Sequence, residues 1–301
     1  MAGLRAITAF LLLAFGLSWL VALPLWFGDG IASPLLTVVA VIMMATPAVA
    51  AIIVVLFIER PANRAQALGL RPLGPVRRLA GFLGLALLVP IALVIAALVV
   101  GSLLGLYRAD LVEFSGFQAQ LDALGAGELP VPIGALVAIQ CAAVVVGALV
   151  NTIPALGEEI GWRGWLLPKL LPLGPVPAIL ISGVVWGAWH APLVLLGYNY
   201  PTAPGWLGVL AMIGMCTVVG GVFGWLRLRS GSVWPAALAH GSFNAAAGLS
   251  LLFASADFPL DTTQATILGW SGWIVPLVVV AVLVATGRFN AGSPTVSREA
   301  S

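Results

Sequence analysis

Eight apolar runs, each about twenty residues long and separated by charged or Pro/Gly-rich breaks, constrain this chain more than any other feature. They cover residues 6–27, 35–58, 79–106, 132–156, 176–196, 206–226, 233–253 and 267–286. A hydrocarbon layer about 30 Å thick offers the backbone no water, so a segment crossing it must satisfy its own amide groups, and a helix of roughly 20 residues does so. The expected fold is all-α, a polytopic membrane protein with about eight transmembrane helices. Composition agrees: 61% of the 301 residues are hydrophobic and 8% are charged, whereas about a quarter are charged in an ordinary soluble domain. The first run lacks a small-x-small cleavage site and exceeds the core of a signal peptide, so it counts as a span.

Charge placement orients these segments, because positively charged loops stay in the cytoplasm. With Arg5 inside, eight crossings bring twelve of the thirteen Lys and Arg residues to one side and leave only Arg108 on the other. Asp29, Asp110, Glu113, Asp122, Glu128, Asp257 and Asp261 fall in the outer loops. The expectation is a multi-pass protein of the cell membrane with both termini cytoplasmic, and the Arg-, Ala- and Leu-rich composition suggests a bacterial source. A net charge of +2 is too small to suggest nucleic acid; membrane lipid and a membrane-associated peptide or protein are the expected partners. Three regions follow: N-terminal transmembrane helices over residues 1–130, a helical core over 131–254, and a last transmembrane helix with its tail over 255–301, disordered from Asn290. Cys141 and Cys216 lie in apolar runs and read as buried core thiols, without a CxxC motif.

Against this background, Gly157-Glu158-Glu159-Ile160-Gly161-Trp162-Arg163 is conspicuous. Ionisable groups in a membrane segment are costly unless paired or facing water, so they default to a functional reading. On a helix Glu159 and Arg163 share a face and can pair, while Glu158, rotated by about 100°, is left without that partner. The plainer alternative is a pair of interfacial acids balanced by one arginine at a helix end. Pro154 removes a backbone donor, so the two glutamates are expected to open a second helical segment. That segment would run past Trp162 and Trp165, dipping into the membrane or lying at its interface, where tryptophan is favoured.

The chain has two histidines, His190 and His240, both within apolar spans. Imidazole in lipid needs a polar partner, and its pKa of ~6.5 suits proton transfer at neutral pH. Asn244 follows His240 by four residues, which places imidazole and carboxamide on one helical face. If these groups converge with Glu158, the site holds a general base, a second proton-handling group and a donor pair for an oxyanion, the equipment of a hydrolase. The spacings Gly157/Gly161, Gly183/Gly187 and Gly220/Gly224 would let the helices that carry these groups approach closely.

Taken in order, Glu158-Glu159-x-x-x-Arg163, Trp186-x-x-x-His190 and His240-x-x-x-Asn244 resemble the signature of the CPBP intramembrane proteases, which include the CaaX prenyl endopeptidases and the Abi proteins linked to bacteriocin immunity. The similarity covers about residues 135 to 253, the CPBP-like catalytic core. It departs from the family at Trp186, where phenylalanine is usual. The resemblance implies peptide-bond hydrolysis inside the membrane. Glu158 with His190 would activate water, His240 with Asn244 would stabilise the oxyanion, and Glu159 with Arg163 would hold the helix in place.

The family has been described both as metallo- and as glutamate-dependent enzymes. Glu158, His190 and His240 could supply three ligands to a divalent metal such as zinc and leave water in the fourth position, although no HExxH pair exists. The metal-free reading, with Glu158 as general base, is preferred because the three candidates lack a zinc-like spacing. One tension concerns depth: His240 lies about 10 Å along its span and His190 about 20 Å along its own. They meet only if the fifth span begins several residues late, with its start beneath the membrane surface near Pro175 and Pro177. The competing function is a proton-coupled transporter, since intramembrane Glu and His also build proton relays; against it, no paired broken helices recur in two halves.

Overall fold

A computed structural model of the protein describes residues 2–126 and 131–289. Helices α1 (Ala2–Trp26) and α2 (Leu36–Ile53) pack on each other, and α2 runs on as a π-helical turn over Val54–Glu59. A single turn, α3 (Arg64–Ala67), is capped by Asn63 Oδ1, which accepts from the Gln66 amide at 3.0 Å. There follow α4 (Val76–Leu103), α5 (Ser115–Ala123) in the long polar loop, and α6 (Ile133–Glu159). A π-helical turn over Ile160–Leu166 leads into α7 (Leu167–Leu170). The remainder is α8 (Pro175–Trp189), α9 (Ala191–Val194), α10 (Gly205–Ser230), α11 (Trp234–Ala247), α12 (Leu249–Leu252) and α13 (Ile274–Ala285), the last preceded by a 3-10 turn at Trp270–Trp273. No strand occurs among the described residues beyond an isolated bridge between Ala109 and Ala254. The fold is that of an all-α, polytopic membrane protein.

Among the described residues, five helices are long and apolar enough to cross a membrane: Gly3–Trp26, Leu36–Glu59, Val76–Leu103, Ile133–Leu173 and Gly205–Ser230. The other three expected spans are shorter. The fifth is the 15-residue α8, the seventh is the 14-residue α11 followed after Gly248 by α12, and the eighth becomes helical only from Trp270. Enclosure explains the seventh: α11 packs against α6 and α4, and every residue from Pro235 to Phe243 is buried. An inner helix whose neighbours replace lipid need not match the hydrocarbon thickness.

Two local expectations are corrected. Helix α6 passes through Pro154 and continues to Glu159, so the two glutamates end a long helix and do not open a new one. Proline is tolerated inside membrane helices when neighbours and small backbone adjustments absorb the freed carbonyl, and Pro47 and Pro90 sit inside α2 and α4 in the same way. The distortion comes later, as the π-helical turn after Glu159. Trp162 and Trp165 are also not interfacial: both are fully buried, with ring centroids 5.5 and 4.8 Å from that of Phe10 in α1. Cys216 is buried as expected, but Cys141 is exposed on the outer face of α6. Glu128 and the tail from Asn290, expected to be disordered, lie outside the described residues.

Close helix contacts are set by glycine. A Cβ at Gly157 would come within 2.8 Å of the Met44 carbonyl oxygen, and one at Gly161 within 2.8 Å of the Pro47 carbonyl, so α6 is seated on α2. Gly183 and Gly187 fit α8 against Thr217 and Ile213 of α10. The basic helix ends meet at one end of the molecule, where Arg227 Nε donates to Arg163 O at 3.1 Å and Lys169 Nζ lies 2.6 Å from Glu59 Oε1.

Candidate active site

The C-terminal end of α6 points two neighbouring carboxylates in different directions, because successive helical residues are about 100° apart. Glu159 is completely buried. Arg163, one turn on, donates through Nη1 to Glu159 Oε1 at 2.8 Å, and His240 Nδ1–H donates to the same oxygen at 3.0 Å. The guanidinium carbon also lies 4.1 Å from the Trp186 ring centroid and 5.5 Å from that of Phe223. Gly220 makes room for it, since a Cβ there would stand 2.7 Å from Arg163 Nη2. A buried anion with a guanidinium and an imidazole against it ties α6, the π turn and α11 together. Such a cluster is strongly destabilised when one partner is removed, because the remaining charge stays in low dielectric.

Glu158 has a different environment. Its Oε2 accepts from Trp186 Nε1–H of α8 at 2.6 Å. Its Oε1 makes no hydrogen bond to a described residue, and it is absent from the sealed, unpartnered atoms that include Glu159 Oε2 and Arg163 Nη2. His240 and Arg163 lie within electrostatic range, as does Tyr198 from the loop after α9.

The Trp186 ring stands between the two imidazoles, its centroid 5.9 Å from that of His190 and 5.3 Å from that of His240. His190 Nδ1–H donates to Trp186 O at 2.9 Å, so the neutral ring keeps its lone pair on Nε2. His240, held through Nδ1 on Glu159, likewise turns Nε2 away from its partner. Asn244, one turn along α11 from His240, is half-buried, and its carboxamide hydrogen-bonds no described residue.

The structure thus gathers Glu158, His190 and His240 around Trp186, with Asn244 on the His240 face. Helix α8 begins at Pro175, where the depth argument placed the start of the fifth span, and His190 caps its far end, about 22 Å along. Trp186, a turn before His190, spans the interval with its side chain. Sequence reasoning assigned Trp186 only the place of an aromatic residue and missed its N–H; the signal available was the tryptophan where phenylalanine is usual. It also missed Cys216, whose Sγ lies 3.9 Å from His190 Nδ1, and the role of α1 and α2, which reach the site through the 3.3 Å bond from Trp189 Nε1 to Thr46 Oγ1 and the 2.9 Å bond from Trp26 Nε1 to Pro192 O.

The zinc alternative would draw on Glu158, His190 and His240. Among the described residues no three His, Cys, Asp or Glu side chains are grouped to hold a metal ion, and Nδ1 of both histidines and one oxygen of Glu158 already have protein partners. Those Nδ1 bonds leave both Nε2 atoms open, as they are in metal-ligating histidines, but the three groups are not clustered as a metal site in this structure, and no step below is routed through one.

Residues 140–246 match the family model described as type II CAAX prenyl endopeptidase Rce1-like. No curated protein matches the chain. The matched stretch runs from the middle of α6 to the end of α11 and contains Glu158, Glu159, Arg163, Trp186, His190, His240 and Asn244. The match over that helical core supports a CPBP/CAAX type of intramembrane protease.

Proposed function

We propose that the protein is an intramembrane endopeptidase that hydrolyses a peptide bond of a membrane-associated protein or peptide, using water activated by Glu158 and His190. The observation that carries this reading is the asymmetry of Glu158, with Oε2 fixed by the Trp186 indole, whose ring lies against both imidazoles, and Oε1 making no hydrogen bond to a described residue. In the proposed reaction Glu158 Oε1 takes a proton from a water that His190 Nε2 orients, as the water oxygen bonds to the peptide carbonyl carbon. The carbonyl π pair moves onto oxygen. His240 Nε2–H and Asn244 Nδ2–H donate to that oxyanion. In this step His240 carries both ring protons, with Nδ1–H on the Glu159 carboxylate. When the C–N bond breaks, the carbonyl re-forms and Glu158 returns its proton to the leaving amine, so one water is consumed and Glu158 is again ionised.

The basic helix ends are taken to face the cytoplasm, with both termini on that side. The test is cleavage of a membrane-embedded peptide library by the purified full chain in vesicles. New peptide termini are expected with wild type and none with Glu158→Gln. Protein dialysed against a chelator is expected to keep its activity; activity that disappears and returns with zinc would overturn the metal-independent step. Solute uptake without any new termini would replace the protease with a transporter.

A further inference from the structure

Where the basic helix ends gather, two cavities meet at Leu73, outside the residues assigned to hydrolysis. One, of about 430 Å³, is lined by Asn63, Gln66 and Arg71 together with the Pro72–Gly74 turn. The other, of about 440 Å³, is almost wholly apolar, with Leu79 and Leu83 of α4, Leu149 of α6, and Trp234 and Leu238 of α11 in its walls. Leu73 lines both. A chamber walled by Arg71, Asn63 and Gln66 that shares Leu73 with an apolar groove suits an amphiphile.

Charge narrows the choice of amphiphile. Arg64, Arg71 and Arg77 are exposed, and their side chains make no ion pair or hydrogen bond to a described residue. Glu59, the acid that ends the preceding π turn, is taken by Lys169 at 2.6 Å and by Trp165 Nε1 at 3.1 Å. Arg78 is already engaged, donating to Arg229 O and lying over Phe82. Orientation of loops accounts for arginines at this end of the molecule, but not for a chamber walled by Arg71 that shares Leu73 with an apolar groove between helices. The levels also agree: Leu79 and Leu83 occupy the first two turns of α4 and Trp234 and Leu238 the first turns of α11, so a chain entering beside Arg71 would run about 10 Å into the membrane along these helices.

We propose that the paired cavities bind one anionic phospholipid, with its phosphate on Arg71 and Arg77 and its acyl chains between α4, α6 and α11. The groove walls include both helices that carry the proposed catalytic groups. Thr152 of α6 lines the groove and touches α11 directly, since a Cβ at Gly241 would meet the Thr152 nitrogen at 2.6 Å. A lipid seated there braces the α6–α11 contact that positions Glu159 against His240.

The test uses the full chain, purified in detergent and stripped of lipid, with binding read by native mass spectrometry and by the midpoint of thermal unfolding. The probes are phosphatidylglycerol, phosphatidylcholine with the same acyl chains, and inorganic phosphate. Phosphatidylglycerol is expected to bind and raise the midpoint, and the other two are not. Each arginine near an anionic headgroup contributes about fivefold in affinity, so Arg71→Gln with Arg77→Gln is expected to weaken phosphatidylglycerol about 30-fold. Both substitutions are at exposed positions, so the folded protein remains available for the measurement. Leu149→Trp, which fills the groove, is expected to weaken phosphatidylglycerol without touching the arginines. Equal binding of both lipids, unchanged phosphatidylglycerol binding in either variant, or displacement of the lipid by inorganic phosphate would each overturn the proposal. So would displacement by a membrane peptide that the enzyme cleaves, which would assign the groove to substrate.

Discussion

Glu159 is enclosed by Arg163 and His240, whereas Glu158, one residue earlier, has among the described residues a single indole donor on one oxygen and no partner on the other. Both are buried acids on the same helix end, so burial alone does not separate them. What differs is the number of partners. Arg163 and the His240 imidazole on one carboxylate fix its position and use its charge for structure, which suits a residue that holds helices together. One donor on the other oxygen fixes orientation and leaves basicity available, which suits a residue that must accept a proton. The two imidazoles divide in the same way: His240 is anchored on the structural acid, and His190 is anchored on a neutral carbonyl that leaves its Nε2 lone pair unused.

The largest effect expected from this contrast is on chemistry. Glu158→Gln keeps the shape and can still accept from Trp186, but it cannot take a proton from water. A general base contributes roughly 10²–10⁴-fold, so cleavage is expected to fall by that factor while the thermal midpoint barely moves. A Glu158→Gln protein that cleaves at the wild-type rate would remove the distinction between the two acids.

Glu159→Gln is expected to do the opposite. It leaves Arg163 buried against Trp186 and Phe223 without its anion, and breaking a buried pair from one side costs about 3–5 kcal/mol. The observable is a large drop in thermal midpoint and yield. Replacing Arg163 by Met in the same protein is expected to restore part of the loss, because no uncompensated charge then remains. If the double variant is no more stable than Glu159→Gln alone, the pair is not the structural element argued here. Asn244→Ala comes next. It removes one donor from the proposed oxyanion site, for which about 10²-fold in kcat is usual, with little change in KM or stability, since the carboxamide has no described partner to lose.

Much of this contrast was legible in the residues. The i, i+4 spacing of Glu159 and Arg163 predicts a shared face, and the pair is present at 2.8 Å. Apolar run lengths predict an all-α membrane fold, and the helices follow. Tertiary enclosure was not legible. Hydropathy gives α11 the look of a lipid-facing span, yet it is surrounded by protein, because an apolar residue meets lipid and a packed helix equally well. Pro154 was read as a break for a related reason: its missing N–H is a local property, while the neighbours that tolerate it belong to the fold. The approach of α2 to Gly157 and Gly161 was hidden too, since small residues permit contact without naming a partner.

Trp186→Phe gives the smallest effect and the sharpest test of why Glu158 stays available. The phenyl ring keeps the aromatic face beneath Arg163 and the spacing between the imidazoles, so the fold is expected to hold. Only the Nε1–H donor to Glu158 Oε2 is lost. That bond favours the ionised carboxylate, and a hydrogen bond to a charged group is worth roughly 1.5–3 kcal/mol. Without it, the acid limb of the kcat/KM profile is expected to move upward by about one pH unit. Activity then falls roughly tenfold on the acidic side of the limb and approaches wild type above it. If Trp186 merely fills space, kcat/KM drops by the same factor at every pH and the limb stays where it was. A shifted limb together with an unchanged thermal midpoint would establish Trp186 as a positioning residue for Glu158.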